Sequence, residues 1–394
     1  MKVNGKRKIL LVRSTPNDID INAYNVQQVG LGKAFCELGF DYDFITLKKD
    51  APRKEFVFYE KNGCRAKCIE KPRKRFFRWG INTEIADAQF LAQYDLIICQ
   101  EYYQLESYLI ARKSDKVVLY SGPYYNMFMP KLLSPIYDMV FTKKIDEKVK
   151  SILVKSQLAF DFLHNKGYTK LHNIGVALDA SRFENETQIK PETQKVIDYM
   201  KEHKCILYVG ALSDRKNYPF LLEVYQYALK YVPDLKFVMI GKSRVSAMAK
   251  LAGKKDDDYA AKFYDKLPQN VKDGIYHIER IDNPQLKFIY PLAKAFLLPS
   301  KLEIFGMVLL EAMYLRTPVI TSLNGGSMTL IQGKETGLIV EQFDKDLWCQ
   351  AIIKYLDNPE CTNEVTERAY KLIRDEYNWT VLAKKMLNIA GIDC

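Results

Sequence analysis

The 394-residue chain contains no run of 18 uninterrupted apolar residues, so its sequence offers no helix able to cross a bilayer. Its first eight residues, Met1 to Lys8, lack the apolar core of a secretory signal peptide and lead directly into an apolar segment, Ile9 to Val12. Internal repeats and low-complexity tracts are also absent. We therefore expect a cytoplasmic protein that is soluble, with peripheral attachment to the inner face of a membrane as the alternative.

Eight cysteines are scattered along the chain, and only Cys64 and Cys68 lie close together. With four histidines in all, no second cysteine pair or histidine cluster completes a zinc site. We expect most of these cysteines to be reduced thiols, packed in the interior or exposed on the surface.

The length exceeds one ordinary hydrophobic core and predicts two domains. Residues 184–194 have a polar, linker-like composition. We therefore place the boundary near residues 185–195, with a first domain at residues 1–188 and a second at 189–376. Residues 377–394 form a separate C-terminal segment in this division.

The net charge of +11 is concentrated in the first half of the chain. Residues 1–184 have 30 Lys and Arg against 21 Asp and Glu, whereas residues 185–394 have 29 against 27. The densest part, from Lys71 to Trp79, interleaves five cations with three aromatic residues. Such a segment is suited to an anionic membrane surface. A solvated loop anchored by its aromatic residues, or a nucleic-acid contact, would have the same composition.

The first domain shows an alternation of strand and helix patterns. Strands are predicted at residues 9–12, 41–47, 94–99 and 117–120, and a helix at residues 24–38 that ends at Gly39. This alternation predicts an α/β domain with a parallel sheet and right-handed crossovers.

Two glutamates eight residues apart, Glu303 and Glu311, are the most informative feature of the second half. An apolar run at residues 295–298 predicts a buried strand, Pro299 and Gly306 punctuate a loop, and helix formers follow. Glu303 is thus predicted in a strand-to-helix loop and Glu311 on the helix. The helix N-terminus beside the glycine favours phosphate, so the arrangement suits a nucleotide-sugar.

A second predicted loop accompanies the first. Residues 317–326 indicate another short buried strand that ends in a glycine turn. Because ligands of open α/β sheets bind at the carboxyl ends of the strands, both loops are expected at one site.

Residues 299–326 resemble the donor-site signature of the family 4 retaining glycosyltransferases, which have the GT-B fold. The resemblance implies two Rossmann-like domains that face a cleft. It assigns Glu303 to sugar hydroxyls, Glu311 to the nucleotide ribose, and the backbone of Phe305, Gly306 and Met307 to the phosphates, with Val308 also in the donor site. It also implies that residues 377–394 form a helix that crosses back onto the first domain. Ile304 stands where the family often has glycine.

Residues 205–217 carry a second part of the resemblance. Lys216 matches a lysine that neutralises the donor diphosphate, whereas Ala211 stands where the family usually has arginine. Arg215 is our candidate to supply the missing charge. Arg280 and Ile281 fall where family members commonly place the base. A similarity to the capsule and lipopolysaccharide branch covers residues 24–38 and 122–126.

The acceptor is expected in the loops of the first domain. Tyr24 and Asn25 at the first predicted helix, and Ser121, Tyr124 and Tyr125 after a predicted strand, are the candidates. The histidine that many family members place after that strand is missing.

The resemblance implies retaining transfer of a sugar from a UDP- or GDP-sugar to a glycan or lipid-linked acceptor, with Lys216 and Glu303 as the catalytic residues. Asp256 to Asp258 is similar to the metal motif of the other glycosyltransferase fold, but no apolar strand precedes it. We therefore expect neither a metal nor another cofactor. A GT-B-fold nucleotide-sugar epimerase and a basic nucleic-acid-binding protein are the alternatives.

Overall fold

A computed structural model describes residues 6–15, 18–21, 26–49, 54–76, 79–126, 134–244 and 256–393, without the side chains of residues 75, 76, 257 and 258. The chain divides into two units. The first contains Met1–Ala177 and Tyr377–Cys394, and the second contains Leu178–Glu376.

The strands alternate with helices along most of the chain. The strands are β1 (Lys8–Arg13), β2 (Asp41–Lys48), β3 (Lys54–Lys61), β4 (Cys64–Pro72), β5 (Lys74–Phe76), β6 (Trp79–Ile81), β7 (Leu96–Gln100), β8 (Val117–Ser121), β9 (Ser151–Val154), β10 (Leu171–Asn173), β11 (Lys204–Val209), β12 (Leu235–Ile240), β13 (Ile275–Ile278), β14 (Ala295–Leu298), β15 (Val319–Thr321) and β16 (Leu338–Ile339).

The α-helices in the described residues are α1 (Gln27–Glu37), α2 (Ala88–Ala92), α3 (Leu105–Ala111), α4 (Ser134–Lys148), α5 (Gln157–His164), α6 (Ser181–Glu184), α7 (Pro191–Glu202), α8 (Tyr218–Ala228), α9 (Asp256–Tyr264), α10 (Gln269–Lys272), α11 (Met307–Tyr314), α12 (Gly325–Leu330), α13 (Lys345–Asp357), α14 (Pro359–Glu376) and α15 (Trp379–Ile389). None of them combines the length and apolar character that spanning a membrane requires.

The first unit is built on an eight-stranded sheet with the order β10-β9-β8-β7-β1-β2-β4-β3. Every neighbouring pair is parallel except β3 and β4. The central strands β1, β7 and β8 are apolar runs, buried along nearly their whole length, as a parallel sheet covered on both faces requires. The predicted parallel α/β architecture of the first domain is thus confirmed.

The second unit is a six-stranded parallel sheet with the order β13-β12-β11-β14-β15-β16. In each sheet the first strand of the unit lies at the centre. The strands that follow it in the chain are added on one side of it, and the later strands are added on its other side. The strand order therefore reverses between β1 and β7 in the first unit and between β11 and β14 in the second. Such switch points form a crevice at the carboxyl ends of the strands, where open α/β sheets bind ligands.

The C-terminal helix α15 belongs to the first unit and packs on α1. A Cβ atom added at Gly30 of α1 would lie 2.3 Å from Nε1 of Trp379, so the indole ring occupies the space that a larger residue would need. The helix α15 therefore packs closely against α1 within the first unit.

The division between the units lies at Ala177 and Leu178, ahead of the polar segment where the sequence places it. Side chains of the second unit hold that segment. Lys287 Nζ donates to the carbonyl of Phe183 at 2.9 Å, and Gln285 Nε2 donates to that of Gln188 at 2.6 Å. A polar composition is therefore compatible with a docked segment, because its backbone groups find partners there.

Candidate active site

The candidate site lies at the carboxyl edge of the second sheet, at its switch point. Two loops meet there: residues 210–217 connect β11 to α8, and residues 299–306 connect β14 to α11. The backbone N–H of Lys301 donates to the carbonyl of Arg215 at 2.9 Å, which ties the two loops together.

Local backbone conformation fixes how the second loop enters its helix. Gly306 precedes α11 with φ of 81°, a left-handed conformation that favours glycine. A Cβ atom at this position would also meet Glu303 Cγ at 3.2 Å. The glycine thus lets the loop fold tightly over the start of the helix, where the first-turn N–H groups have no partner within the helix.

Glu303 forms the centre of an ionic contact between the loops. The Lys216 ammonium contacts Glu303 Oε2, and Arg215 Nη1 donates to the same oxygen at 3.2 Å. Burial raises the pKa of Glu303, but Lys216 and Arg215 outweigh it and hold the pKa below its ordinary value. Glu303 is therefore an ionised carboxylate in contact with two cations. The predicted residues Lys216, Arg215 and Glu303 thus lie together and pair with each other.

Glu311 has a different environment, because it is fully buried on α11. Burial raises the pKa of this carboxyl well above its ordinary value. Asn283 Nδ2 donates to Glu311 Oε2 at 3.4 Å. Glu311 Oε1 and Asn283 Oδ1 receive no hydrogen bond from the residues that the structure describes. Two buried oxygens without donors are costly, and a ligand that brings neighbouring hydroxyl groups would satisfy them.

Asn283 is a site residue that the sequence analysis misses. It begins the 3-10 helix Asn283–Phe288, which precedes β14 in the chain. An Asn-Pro pair after a strand pattern indicates only a turn, so its contact with Glu311 depends on the tertiary fold.

A third loop supports the first two, as predicted from residues 317–326. Ser322 Oγ donates to the carbonyl of Ser300 at 2.7 Å, and the backbone N–H of Gly325 donates to that of Glu303 at 3.3 Å. A Cβ atom on Gly326 would lie 1.8 Å from the carbonyl oxygen of Phe305. The third loop therefore fixes the backbone that carries Glu303.

The other residues predicted to bind the nucleotide-sugar donor differ in their exposure to solvent. Met307 and Val308, in the first turn of α11, are half-buried, while Phe305 and Ile281 are buried. The Arg280 side chain is 78% exposed and lies 3.7 Å from Asp282. Their proposed contacts with phosphate and base remain predictions.

In the first unit, Ser121 has a polar environment that the sequence analysis does not anticipate. This buried serine donates from Oγ to Glu101 Oε2 at 2.9 Å, and the backbone N–H of Gly122 donates to the same oxygen at 3.2 Å. The Lys155 ammonium lies 3.7 Å from the other carboxylate oxygen, Glu101 Oε1.

The remaining acceptor candidates are less informative. Tyr124 and Tyr125 are half-buried, and their rings meet edge to face with centroids 5.3 Å apart. Tyr124 also packs against the core of its unit, which favours a structural role for it. Tyr24 and Asn25 lie outside the described residues.

Part of the basic segment from Lys71 to Trp79 is held inside the first unit. Lys71 is buried and lies 3.0 Å from Glu84, and Arg73 lies 3.0 Å from Asp18. Trp79 Nε1 donates to the carbonyl of Tyr103 at 2.7 Å. These contacts account for the three residues without a membrane.

The acidic run at Asp256 begins α9, in agreement with the helical context that the sequence indicates. Among the described residues, no three His, Cys, Asp or Glu side chains gather as a metal site would need. That the protein needs no metal remains a prediction.

Sequence similarity to known proteins covers most of the second unit, and similarity of fold covers both units. The family described as "Glycosyl transferases group 1" matches residues 189–372. A Methanocaldococcus jannaschii protein named uncharacterized glycosyltransferase is 26% identical over 200 residues, which cover 50% of this chain and 47% of that protein. The matched region spans about half the length of the curated relatives.

Two solved structures share the fold over nearly the whole chain. Sucrose-phosphate synthase from Thermosynechococcus elongatus has a TM-score of 0.68 at 20% identity, with 98% of each chain covered. An Anabaena protein in complex with UDP and glucose has a TM-score of 0.65 at 13% identity, covering 98% of this chain and 99% of the other. Residues 189–372, most of the second unit, thus match the group 1 glycosyltransferases, and the chain has the GT-B fold of two parallel-sheet units.

Proposed function

We propose that this protein transfers a sugar from a nucleotide-sugar donor to a hydroxyl group of a glycan or lipid-linked acceptor, with retention of anomeric configuration and without a metal ion. One observation carries the proposal. At the switch point of the second sheet, the Lys216–Glu303 ion pair joins the loop before α8 to the loop that leads into α11, and α11 holds the buried carboxyl of Glu311.

Each part of a nucleotide-sugar has a matching group there. The ribose diol offers two hydroxyl groups, and the Glu311–Asn283 pair has two buried oxygens without donors. The diphosphate would face Lys216 and the first-turn N–H groups of α11. Glu303, released from part of its ionic contact by the incoming phosphates, would accept hydrogen bonds from the sugar. Arg215 would assist with the phosphates, and Arg280 and Ile281 would flank the base.

The proposed chemistry is the one that the resemblance to the retaining enzymes implies. The bond between the anomeric carbon and its phosphate oxygen breaks, and the electron pair leaves with the nucleoside diphosphate. The acceptor hydroxyl forms the new bond on the same face and gives its proton to the departing phosphate oxygen. Lys216 stabilises the charge that develops on the phosphate, so no side-chain nucleophile is required.

The fold neighbours support the donor class, since one of them holds UDP and glucose. We propose a UDP- or GDP-sugar as donor. The resemblance to the capsule and lipopolysaccharide branch supports an acceptor from surface polysaccharide synthesis.

The test is turnover. The full-length protein is incubated with UDP-, GDP- and ADP-sugars and a panel of glycan acceptors, and release of nucleoside diphosphate is followed with and without EDTA. We expect acceptor-dependent release with one nucleotide, unaffected by EDTA, and a product whose anomeric configuration by NMR matches that of the donor. Inverted product would contradict retention, and loss of turnover in EDTA would contradict metal independence. No turnover in any combination would contradict the proposed activity.

A further inference from the structure

The switch point of the first sheet also carries a group of charged and polar side chains. We define the Lys155 cluster by four residues at the carboxyl ends of four neighbouring strands: Arg13, Glu101, Ser121 and Lys155, which end or directly follow β1, β7, β8 and β9. The position is equivalent to the one that holds Lys216 and Glu303 in the second sheet.

Glu101 is the organising residue of the Lys155 cluster. Its backbone has φ of 70°, a left-handed conformation that is unfavourable for glutamate. One carboxylate oxygen receives the hydrogen bonds from Ser121 and Gly122, and the other faces Lys155. Strained backbone of this kind persists where the surroundings over-determine it, and it concentrates at binding sites.

Among the residues that the structure describes, the close contacts of the Lys155 ammonium do not use all of its N–H donors. The residue is 8% exposed, and its ammonium lies 3.7 Å from Glu101 Oε1, beyond a normal hydrogen bond. Its other close partner is the ring of Tyr120, whose centroid is 4.6 Å away. An ammonium has three N–H donors, so this contact leaves donor capacity for an anion at the edge of the sheet.

The charge around the cluster is positive. The pKa of Arg13 is lowered by burial and by Arg73, while Tyr103, Glu101 and Asp18 act in the opposite direction, so each of these groups lies within electrostatic range of Arg13. Arg13, Arg73 and Lys155 are three cations, and Glu101 and Asp18 are two carboxylates. A dianionic group would therefore be attracted rather than repelled.

We propose that the Lys155 cluster binds a phosphate group of the acceptor, with Lys155 and Arg13 as its direct ligands and Glu101 as the residue that orients Lys155. This inference rests on the proposed transferase function for its meaning, but the binding itself can be measured without turnover. The phosphate can belong to a free sugar phosphate or to a lipid-linked sugar diphosphate, and both have the same chemistry at this site.

The test is equilibrium binding by calorimetry to the full-length protein. The probes are glucose 6-phosphate, mannose 6-phosphate and glycerol 3-phosphate, each beside its unphosphorylated counterpart, and undecaprenyl diphosphate beside undecaprenol in detergent micelles. For at least one pair we expect the phosphorylated member to bind tenfold or more tightly. The pair that shows the preference distinguishes a soluble acceptor from a lipid-linked one.

Three variants assign the preference to the cluster. Lys155→Gln should abolish it, Lys155→Arg should retain much of it, and the matched control Lys150→Gln, an exposed lysine of the same unit, should bind as the wild type does. Thermal unfolding of each variant shows that it is folded. No preference in any wild-type pair, or an unchanged preference in Lys155→Gln, would overturn the proposal. UDP and GDP binding, measured in the same samples, tests the donor site separately.

Discussion

The ammonium of Lys216 contacts the carboxylate of Glu303, although 87 residues separate them in the sequence. Both side chains are largely buried, at 9% and 12% exposure, so their charges compensate each other in a poorly solvated place. A donor diphosphate would bring new negative charge to Lys216. The ion pair thus positions the lysine and keeps Glu303 ionised.

If Lys216 stabilises the leaving phosphate, Lys216→Ala should reduce kcat by roughly 10²- to 10³-fold, or about 2 to 4 kcal/mol in the barrier. The measurement is steady-state release of nucleoside diphosphate. Lys301→Ala is the matched control, because Lys301 also pairs with an acidic residue in these loops but at an exposed position, 2.7 Å from Asp214. Equal activity in both variants would refute the role of Lys216.

The two glutamates should respond oppositely to neutralisation in the absence of nucleotide. Glu311→Gln removes a carboxyl whose pKa is raised by burial, so this variant should be at least as stable as the wild type at pH 8. Glu303→Gln leaves Lys216 buried beside one exposed cation, Arg215, and should cost about 3 to 5 kcal/mol. Chemical unfolding of both variants at one pH checks the contrast. Equal destabilisation would show that Glu311 is not an unsatisfied buried carboxyl.

Gly326→Ala tests the contact between the loops. The added Cβ would lie 1.8 Å from the Phe305 carbonyl oxygen, so the third loop must move away from the one that carries Glu303. We expect a stability loss of about 1 to 3 kcal/mol together with weaker nucleotide binding. Gly333→Asn is the control, because nothing lies within 4 Å of its Cβ position and asparagine tolerates its φ of 70°. Normal binding by Gly326→Ala would mean that the loops are independent.

The buried carboxyl of Glu106 should make the stability of the first unit depend on pH. It is fully buried, and burial raises its pKa to about 7 against a hydrogen bond from the Asn82 N–H. The folded protein therefore binds a proton that the unfolded chain releases near pH 4.5, so stability falls as the pH rises from about 4.5 to 7. Glu106→Gln should flatten this profile and add about 3 kcal/mol above pH 7. Identical profiles for variant and wild type, by thermal unfolding from pH 4.5 to 8, would exclude the raised pKa.

The loop that carries Glu303 could be predicted because the sequence features that define it are consecutive in the chain. Strand β14, the loop that ends at Gly306 and helix α11 are consecutive, and their apolar run, glycine and helix formers define them in that order. The parallel sheets followed from alternating apolar runs and helix patterns. The assignment of Lys216 and Glu303 to one donor site came from family resemblance, since spacing alone does not bring the two loops together. Their direct contact was not predicted.

The remaining parts depend on tertiary contacts. Glu101 and Lys155 each directly follow a buried apolar strand, which is the one local signal that could have indicated them. Their pairing required the order of β7, β8 and β9 in the sheet. The edge strand β3 has no predicted counterpart, because its charged and aromatic residues are largely exposed and form no apolar run.

The most direct test of the donor site is thermal stabilisation of the full-length protein by UDP-, GDP- and ADP-sugars, with Lys216→Ala and Glu311→Ala in parallel. A ligand that binds the native state must raise its unfolding temperature. We predict a selective shift with one nucleotide that both substitutions abolish, while Lys301→Ala retains it. The absence of a shift with every donor, or a shift that survives both substitutions, would contradict the assignment of Lys216, Glu303 and Glu311 to a nucleotide-sugar.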